Sequence, residues 1–145
     1  MNKIIIGIDP DSKAHGVAVY RDGKLDKLDC SDLVGIIGFL RANKAIESIE
    51  FHIEDVCANN FVYARNNHGN KSVTSKIAMA IGRCQQSQTE LMRALDEYNV
   101  KYVLHKPQKG NWAKDKATFE NTTGWTDRSN EDTRSAAYFG WLGCR

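Results

Sequence analysis

Residues 3–20, KIIIGIDPDSKAHGVAVY, decide how the rest of the chain is read. KIIIGID at 3–9 is β-branched and aliphatic, and short enough for a strand buried on both faces. Pro10 closes it, because proline has no amide proton to give to a ladder. HGVAVY at 15–20 reads as a second strand. Asp22-Gly23 then signals a hairpin turn, whose two central residues need positive φ. A third strand is expected at about 24–28, so the chain opens as a three-stranded antiparallel meander.

Outward from this start, Ser31 is placed to cap a helix in which Leu33, Ile36, Ile37 and Leu40 recur at helical spacing. EFHIEDV at 50–56 reads as a fourth strand, and most of 57–72 as loop, with Asn-rich turn elements and no period. The spacing predicts a long helix over 73–98. Its stripe is Val73, Ile77, Ile81, Cys84, Leu91, Leu95 and Tyr98, with Gln88 the polar member. Asn99 suits a left-handed C-cap. A fifth strand follows at 100–105, closed by Pro107, then a short helix around 113–120 and a last helix over 130–142. The order β-β-β-α-β-α-β-α, with right-handed crossovers between parallel strands, predicts an α/β fold. The expected core is a mixed five-stranded sheet, first strand central, with helices on both faces. Asp9 and Glu54 would then end neighbouring parallel strands, where α/β sheets place ligands.

The 145 residues suit one domain, 1–145, and leave no room for a two-lobed kinase or a (β/α)₈ barrel. Hydrophobic residues at 41% and charged residues at 26% fit a folded globular protein. The N-terminal aliphatic run is too short for a spanning helix or a secretory segment, so the chain reads as cytoplasmic with no membrane partner. Four scattered cysteines without a CxxC pair argue against a zinc knuckle and read as small buried side chains. The net charge of +2 hides an uneven distribution. Residues 22–55 hold eight acids against four bases, whereas 56–89 hold Arg65, Lys71, Lys76 and Arg83 and no acid. Such a block suits a polyanion or a solvated helix face.

Asp9 and Glu54 each end an apolar strand, and two carboxylates on adjacent strands repel unless a cation lies between them. Oxygen donors favour Mg²⁺, with Mn²⁺ substituting, over Zn²⁺. A third carboxylate is available at the start of the last helix from Asp132 or Glu131, and Asp132 and Ser135 share a helix face. Such a set can hold two metal ions and clamp a phosphodiester. Each residue also has a plain structural reading. Asp9 could make an Asx-turn, Glu54 could sit on an edge strand with Asp55 inward, and Ser129 with Asp132 could form a capping box.

IIIGIDPDSKAHGVAVY at 4–20, FHIEDV at 51–56 and NEDTRSAAYFG at 130–140 resemble, in order, the first strand, fourth strand and last helix of RuvC-type Holliday-junction resolvases. These are ribonuclease H-like enzymes. Val103, His105, Pro107 and Trp112-Ala113-Lys114 resemble the family's fifth strand and the segment after it. The resemblance implies a Mg²⁺-dependent crossover junction endodeoxyribonuclease that acts in recombination or repair and leaves 5′-phosphate and 3′-hydroxyl ends. It implies Asp9, Glu54 and Asp132 as metal-binding catalytic residues, with Glu131 and Ser135 beside them. It also implies a homodimer formed on the long helix, and suggests a phage or mobile-element branch. Three features depart from the pattern: Asp11 stands where the family has Gly, Ser135 where it has a fourth carboxylate, and Cys57 follows Glu54 where the family has an aromatic shortly after its Glu, the nearest aromatics here being Phe61 and Tyr63.

Phe61, Tyr63, Arg65 and Lys71 mix aromatics with cations, a combination suited to unpaired bases and phosphates at a four-way junction in branched DNA. Lys106, Lys109 and Lys114 form a second basic run; a solvated loop is its plain reading. His15, His52 and His105 lie in strands and read as structural. Competing readings are a catalytically weakened module that binds branched nucleic acid, an RNA–DNA hybrid nuclease and a transposase-like domain. The GIDPDS stretch also looks like the phosphate loop of actin-like ATPases, which need two such lobes.

Overall fold

The computed structural model describes residues 3–58 and 71–145, the side chains of Lys71 and Ser72 excepted. The strands are β1 (Ile4–Asp9), β2 (His15–Arg21), β3 (Lys24–Ser31), β4 (Ile49–Glu54) and β5 (Lys101–His105). The helices are α1 (Leu33–Ala42), α2 (Lys71–Glu97), α3 (Lys116–Thr123) and α4 (Glu131–Gly143), with 3₁₀ turns at Ile46–Ser48 and Trp112–Lys114. The sheet runs β3-β2-β1-β4-β5, as the sequence predicts. β1 is antiparallel to β2 and parallel to β4, and β4 is parallel to β5. The hairpin turn has φ of 49° at Asp22 and 82° at Gly23, and Asn99 ends α2 at φ 55°.

Strand periodicity divides the core between the two faces. Ile4, Ile6, Ile8, Val17, Val19, Phe51 and Ile53 meet Ile36 and Leu40 of α1 and Leu91 and Leu95 of α2. Ile5, Ala18 and Tyr20 face the other way, onto Trp112, Phe119 of α3 and Ala136 and Ala137 of α4. A β-carbon at Gly7 would run into the Ala136 carbonyl, so glycine lets α4 lie directly on the central strand. Buried Tyr20 fastens the contact, its hydroxyl donating to the Ala137 carbonyl at 2.7 Å.

Several expectations are corrected. β3 continues to Ser31, because its ladder with β2 extends to the His15–Ser31 pair. The cap of α1 is therefore Asp32, which accepts from the Gly35 amide at 2.9 Å. Asp32→Ala is expected to cost about 1 kcal/mol in urea melts, the usual worth of an N-cap. Ser31→Ala should cost less than about 0.5 kcal/mol, as a surface change away from the cap. The segment expected as one helix over 113–120 is a 3₁₀ turn followed by α3. The stripe of α2 becomes buried at Ile81, and Val73 is exposed. Cys30 and Cys57 are exposed and Cys84 and Cys144 half-buried, and none of the four is in a disulfide. Gln88 is fully buried and pins the chain after β4, accepting from the Val56 amide at 2.8 Å and donating to Asp55 at 3.0 Å.

Candidate active site

Alternation along β1 sends Ile4, Ile6 and Ile8 to the α1–α2 side and turns Asp9 to the α4 side. β4 repeats the pattern with Ile49, Phe51 and Ile53, so Glu54 faces α4 as well. Because Ile8 pairs with Ile53, Asp9 and Glu54 stand at adjacent C-terminal strand ends. β4 lies between β1 and β5, not at an edge. Asp55 is turned the other way and bonds to Gln88 and to the Cys57 amide.

Asp132 arrives from the first turn of α4. Asn130 caps that helix, accepting from the Thr133 amide at 2.8 Å, while Thr133 Oγ1 accepts from the Asn130 amide at 2.9 Å. This capping box leaves Asp132 free of a capping role. A β-carbon at Gly16, the residue opposite Asp9 in the hairpin, would clash with the Asp132 carbonyl. Glycine there lets the turn bearing Asp132 come down beside Asp9. The Asp11 amide donates to His15 Nδ1 at 3.1 Å, so no Asx-turn forms on Asp9.

Asp9, Asp11, Glu54, Glu131, Asp132 and Ser135 line one cleft of about 670 Å³, with Lys109 and Lys114 also in its wall. Burial, then the charges of Glu54 and Asp132, push Asp9 up to about 8, and the Ser135 hydroxyl draws it partly back. Burial and the charges of Asp11 and Glu131 raise Asp132 as well. Ser135 Oγ is buried beside Asp9 yet completes no hydrogen bond of good geometry. Carboxylates that penalise one another's ionisation, beside an orphaned hydroxyl, are a donor set suited to a hard divalent cation. Among the described residues, no group of three or more acidic, histidine or cysteine side chains is arranged so that it could hold a metal ion. The fit is thus one of donor chemistry and placement.

A pH dependence follows for the metal-free protein. With a folded pKa of about 8 and an ordinary value of 3.8, Asp9 keeps a proton that the unfolded chain has released. Between those values the unfolded state binds fewer protons, so stability falls as pH rises. The contribution is fully present below 3.8 and is lost as pH climbs through about 8. Thermal melts in EDTA should therefore decline from pH 5 to pH 8, by at most about 1.4 kcal/mol per pH unit from this group. Asp9→Asn should flatten the decline.

Lys106 is exposed and outside the cleft wall. Phe61, Tyr63 and Arg65 lie outside the described residues, as does the side chain of Lys71. The strand histidines are structural. His15 takes the Asp11 amide, and His52 bridges Glu50 at 2.7 Å and His105 at 2.8 Å. Arg134 had no place in the sequence reading. Its guanidinium donates to the Ala113 carbonyl at 2.8 and 3.1 Å and to Ser129 Oγ at 3.0 Å, which ties the Lys114 segment to α4. Gln108 and Asn111, which no pattern in the sequence marks, also line the cleft, as does Cys84, which the sequence places in the apolar stripe of α2. No described helix is long and apolar enough to cross a membrane.

No family model matches the chain, and no curated protein matches it. Solved structures do. Thermus thermophilus RuvC in complex with a Holliday junction substrate aligns at TM-score 0.54 and 12% identity, over 97% of this chain and 93% of that one. A second Thermus thermophilus RuvC structure aligns at TM-score 0.52, with the same identity and coverage. The chain has the RuvC-like, ribonuclease H-type fold: a mixed five-stranded sheet with helices on both faces.

Proposed function

We propose that this chain is a divalent-metal-dependent, structure-selective endonuclease that cuts branched DNA, above all four-way junctions, in recombination or repair. One observation carries the reading: two carboxylates at adjacent strand ends and a third from α4 wall one cleft that also holds two lysines. The fold shared with a RuvC complexed with a Holliday junction substrate supports the choice of DNA.

Asp9, Glu54 and Asp132 would hold Mg²⁺ or Mn²⁺, with Glu131 and Ser135 at the margin. Metal ions bound there supply Lewis acidity to the phosphodiester and to the attacking water. Asp9 must give up its proton to serve as a ligand, so cation binding strengthens toward its raised pKa. Lys109 and Lys114, both in the cleft wall, would neutralise phosphates of the bound strand. Arg134 keeps Lys114 in register with Asp132 through the Ala113 carbonyl. Arg65 and Lys71 add phosphate contacts, and Phe61 and Tyr63 stack on unpaired bases. Two copies related by a two-fold axis along α2 would present two sites to a two-fold junction.

Ser135 favours a second reading. A neutral hydroxyl in place of a carboxylate suits a module that binds junctions and cuts them poorly. A nicking assay on four-way, Y-shaped, duplex and RNA–DNA substrates, with Mg²⁺, Mn²⁺ or EDTA, separates the two. Metal-dependent nicks confined to branched DNA are expected. Tight binding without nicks would leave the module, and preference for the hybrid would move the substrate to RNA–DNA. Lys114→Ala should flatten the slope of log affinity against log salt by about one unit for every DNA shape. An unchanged slope would remove Lys114 from the interface.

A further inference from the structure

The chain leaving β4 is gripped by two glutamines of α2. The Asp55 amide still donates to β5, at the His105 carbonyl, 2.7 Å away. There the ladder stops, and side chains of α2 take over. Gln88 Oε1 accepts from the Val56 amide at 2.8 Å, and Gln85 Nε2 donates to the Val56 carbonyl at 3.0 Å. Residues three apart share a helix face, so the pair meets both backbone groups of Val56 as a further strand would. The Val56 amide also reaches the Glu54 carbonyl at 3.1 Å, so the grip acts on the peptide of Glu54 itself. Gln88 Nε2 donates to Asp55 Oδ1 at 3.0 Å and holds that carboxylate on the α2 side. Val56 is buried and lines the cleft beside Glu54. Gln88 is fully buried in a stripe where an apolar side chain would pack without the cost of desolvating an amide. An amide accepts and donates at once, which serving Val56 and Asp55 together requires.

We infer that Gln88, supported by Gln85, is a positioning residue: it fixes the peptide after Glu54 and keeps Asp55 turned away, so that Glu54 faces the cleft. The inference rests on the role given to Glu54 above and deepens it by naming what aims that side chain. Gln88 is too deeply buried to touch DNA, so it acts on the rate of the bound complex and not on its formation.

The test is Gln88→Met, which keeps length and packing and removes the bonds to Val56 and Asp55. Without metal or DNA, the Val56 amide should exchange its hydrogen about tenfold faster, the worth of an ordinary hydrogen bond. A displacement of about 1 Å can cost about a hundredfold in rate, so single-turnover nicking of a saturating four-way junction in Mg²⁺ should slow by about ten- to a hundredfold. Junction affinity in EDTA should stay that of the wild type. Circular dichroism melts set a temperature at which the variant is fully folded, where lost stability alone leaves the rate unmoved. Should Gln88→Met not fold, Gln85→Met at its half-buried position removes the bond to the Val56 carbonyl and should show a smaller loss of the same kind. A wild-type nicking rate in the folded variant would overturn the inference. So would weaker junction binding with an unchanged rate. Glu54→Gln separates this from the parent reading. If it nicks like the wild type, or the wild type does not nick, the role of Glu54 fails and this inference with it; if it alone is slow, only the role of Gln88 fails.

Discussion

Asp9→Asn is expected to slow nicking of a four-way junction in Mg²⁺ by at least about a thousandfold, or about 4 kcal/mol of transition-state stabilisation. Asp9 stands between Glu54 and Asp132, and it is the group whose ionisation the other two penalise most directly. Asparagine keeps the shape and removes the charge. The DNA contact area barely changes, so junction affinity should stay near that of the wild type. The same change should stabilise the metal-free protein at pH 8, because the wild-type carboxylate ionises there against burial and two like charges. Each pK unit of that mismatch corresponds to about 1.4 kcal/mol. Opposite signs in the two measurements mark a group kept for function at a cost in stability. Single-turnover nicking and urea melts in EDTA give both numbers. A wild-type rate in Asp9→Asn would end the metal reading, and an unchanged melt would show that Asp9 is not strained. Glu54→Gln should match Asp9→Asn in rate.

Asp9 and Glu54 were legible because two local rules agree on them. Strand period sets their face, and the order of elements sets their neighbours. The Asp22-Gly23 turn needed only its dipeptide. Choices between adjacent polar residues were less legible. Ser31 and Asp32 are both competent caps, and the choice depends on how far β3 pairs with β2, which is a non-local fact. The same holds at α4, where Asn130 with Thr133 takes the box that Ser129 with Asp132 could have made. Gln88 stood out as a polar intruder in an apolar stripe, but its partners lie more than 30 residues away, at Val56 and Asp55. Arg134 gave no signal, since its acceptor at Ala113 is 21 residues distant. Asp11 was visible as a departure from a familiar motif; its place in the cleft needed the fold.

Gly7→Ala is expected to cost more than about 3 kcal/mol, or to prevent folding, although it adds one methyl group. In most strands this change would help, since alanine restricts the unfolded chain and stabilises by about 0.4–1 kcal/mol. Here sterics reverse the sign. The added carbon would run into the Ala136 carbonyl and sit 2.6 Å from the Gly140 amide nitrogen. Both are helix backbone, so no rotamer change relieves the contact. Overpacking that side chains can absorb costs about 1–3 kcal/mol, and a clash between backbones exceeds that range. Relief requires α4 to lift from the sheet, which breaks the Tyr20 bond to Ala137 and carries Asp132 away from Asp9. Any folded fraction should therefore bind Mn²⁺ poorly and nick slowly. Gly38→Ala in α1 is the matched control. Nothing lies within 4 Å of its would-be β-carbon, and alanine there should be neutral or stabilising by up to about 1 kcal/mol. Urea melts of the two variants measure the contrast. If Gly7→Ala melts with the wild type, α4 is not seated on β1 through Gly7, and the closeness of Asp132 to Asp9 must come from elsewhere.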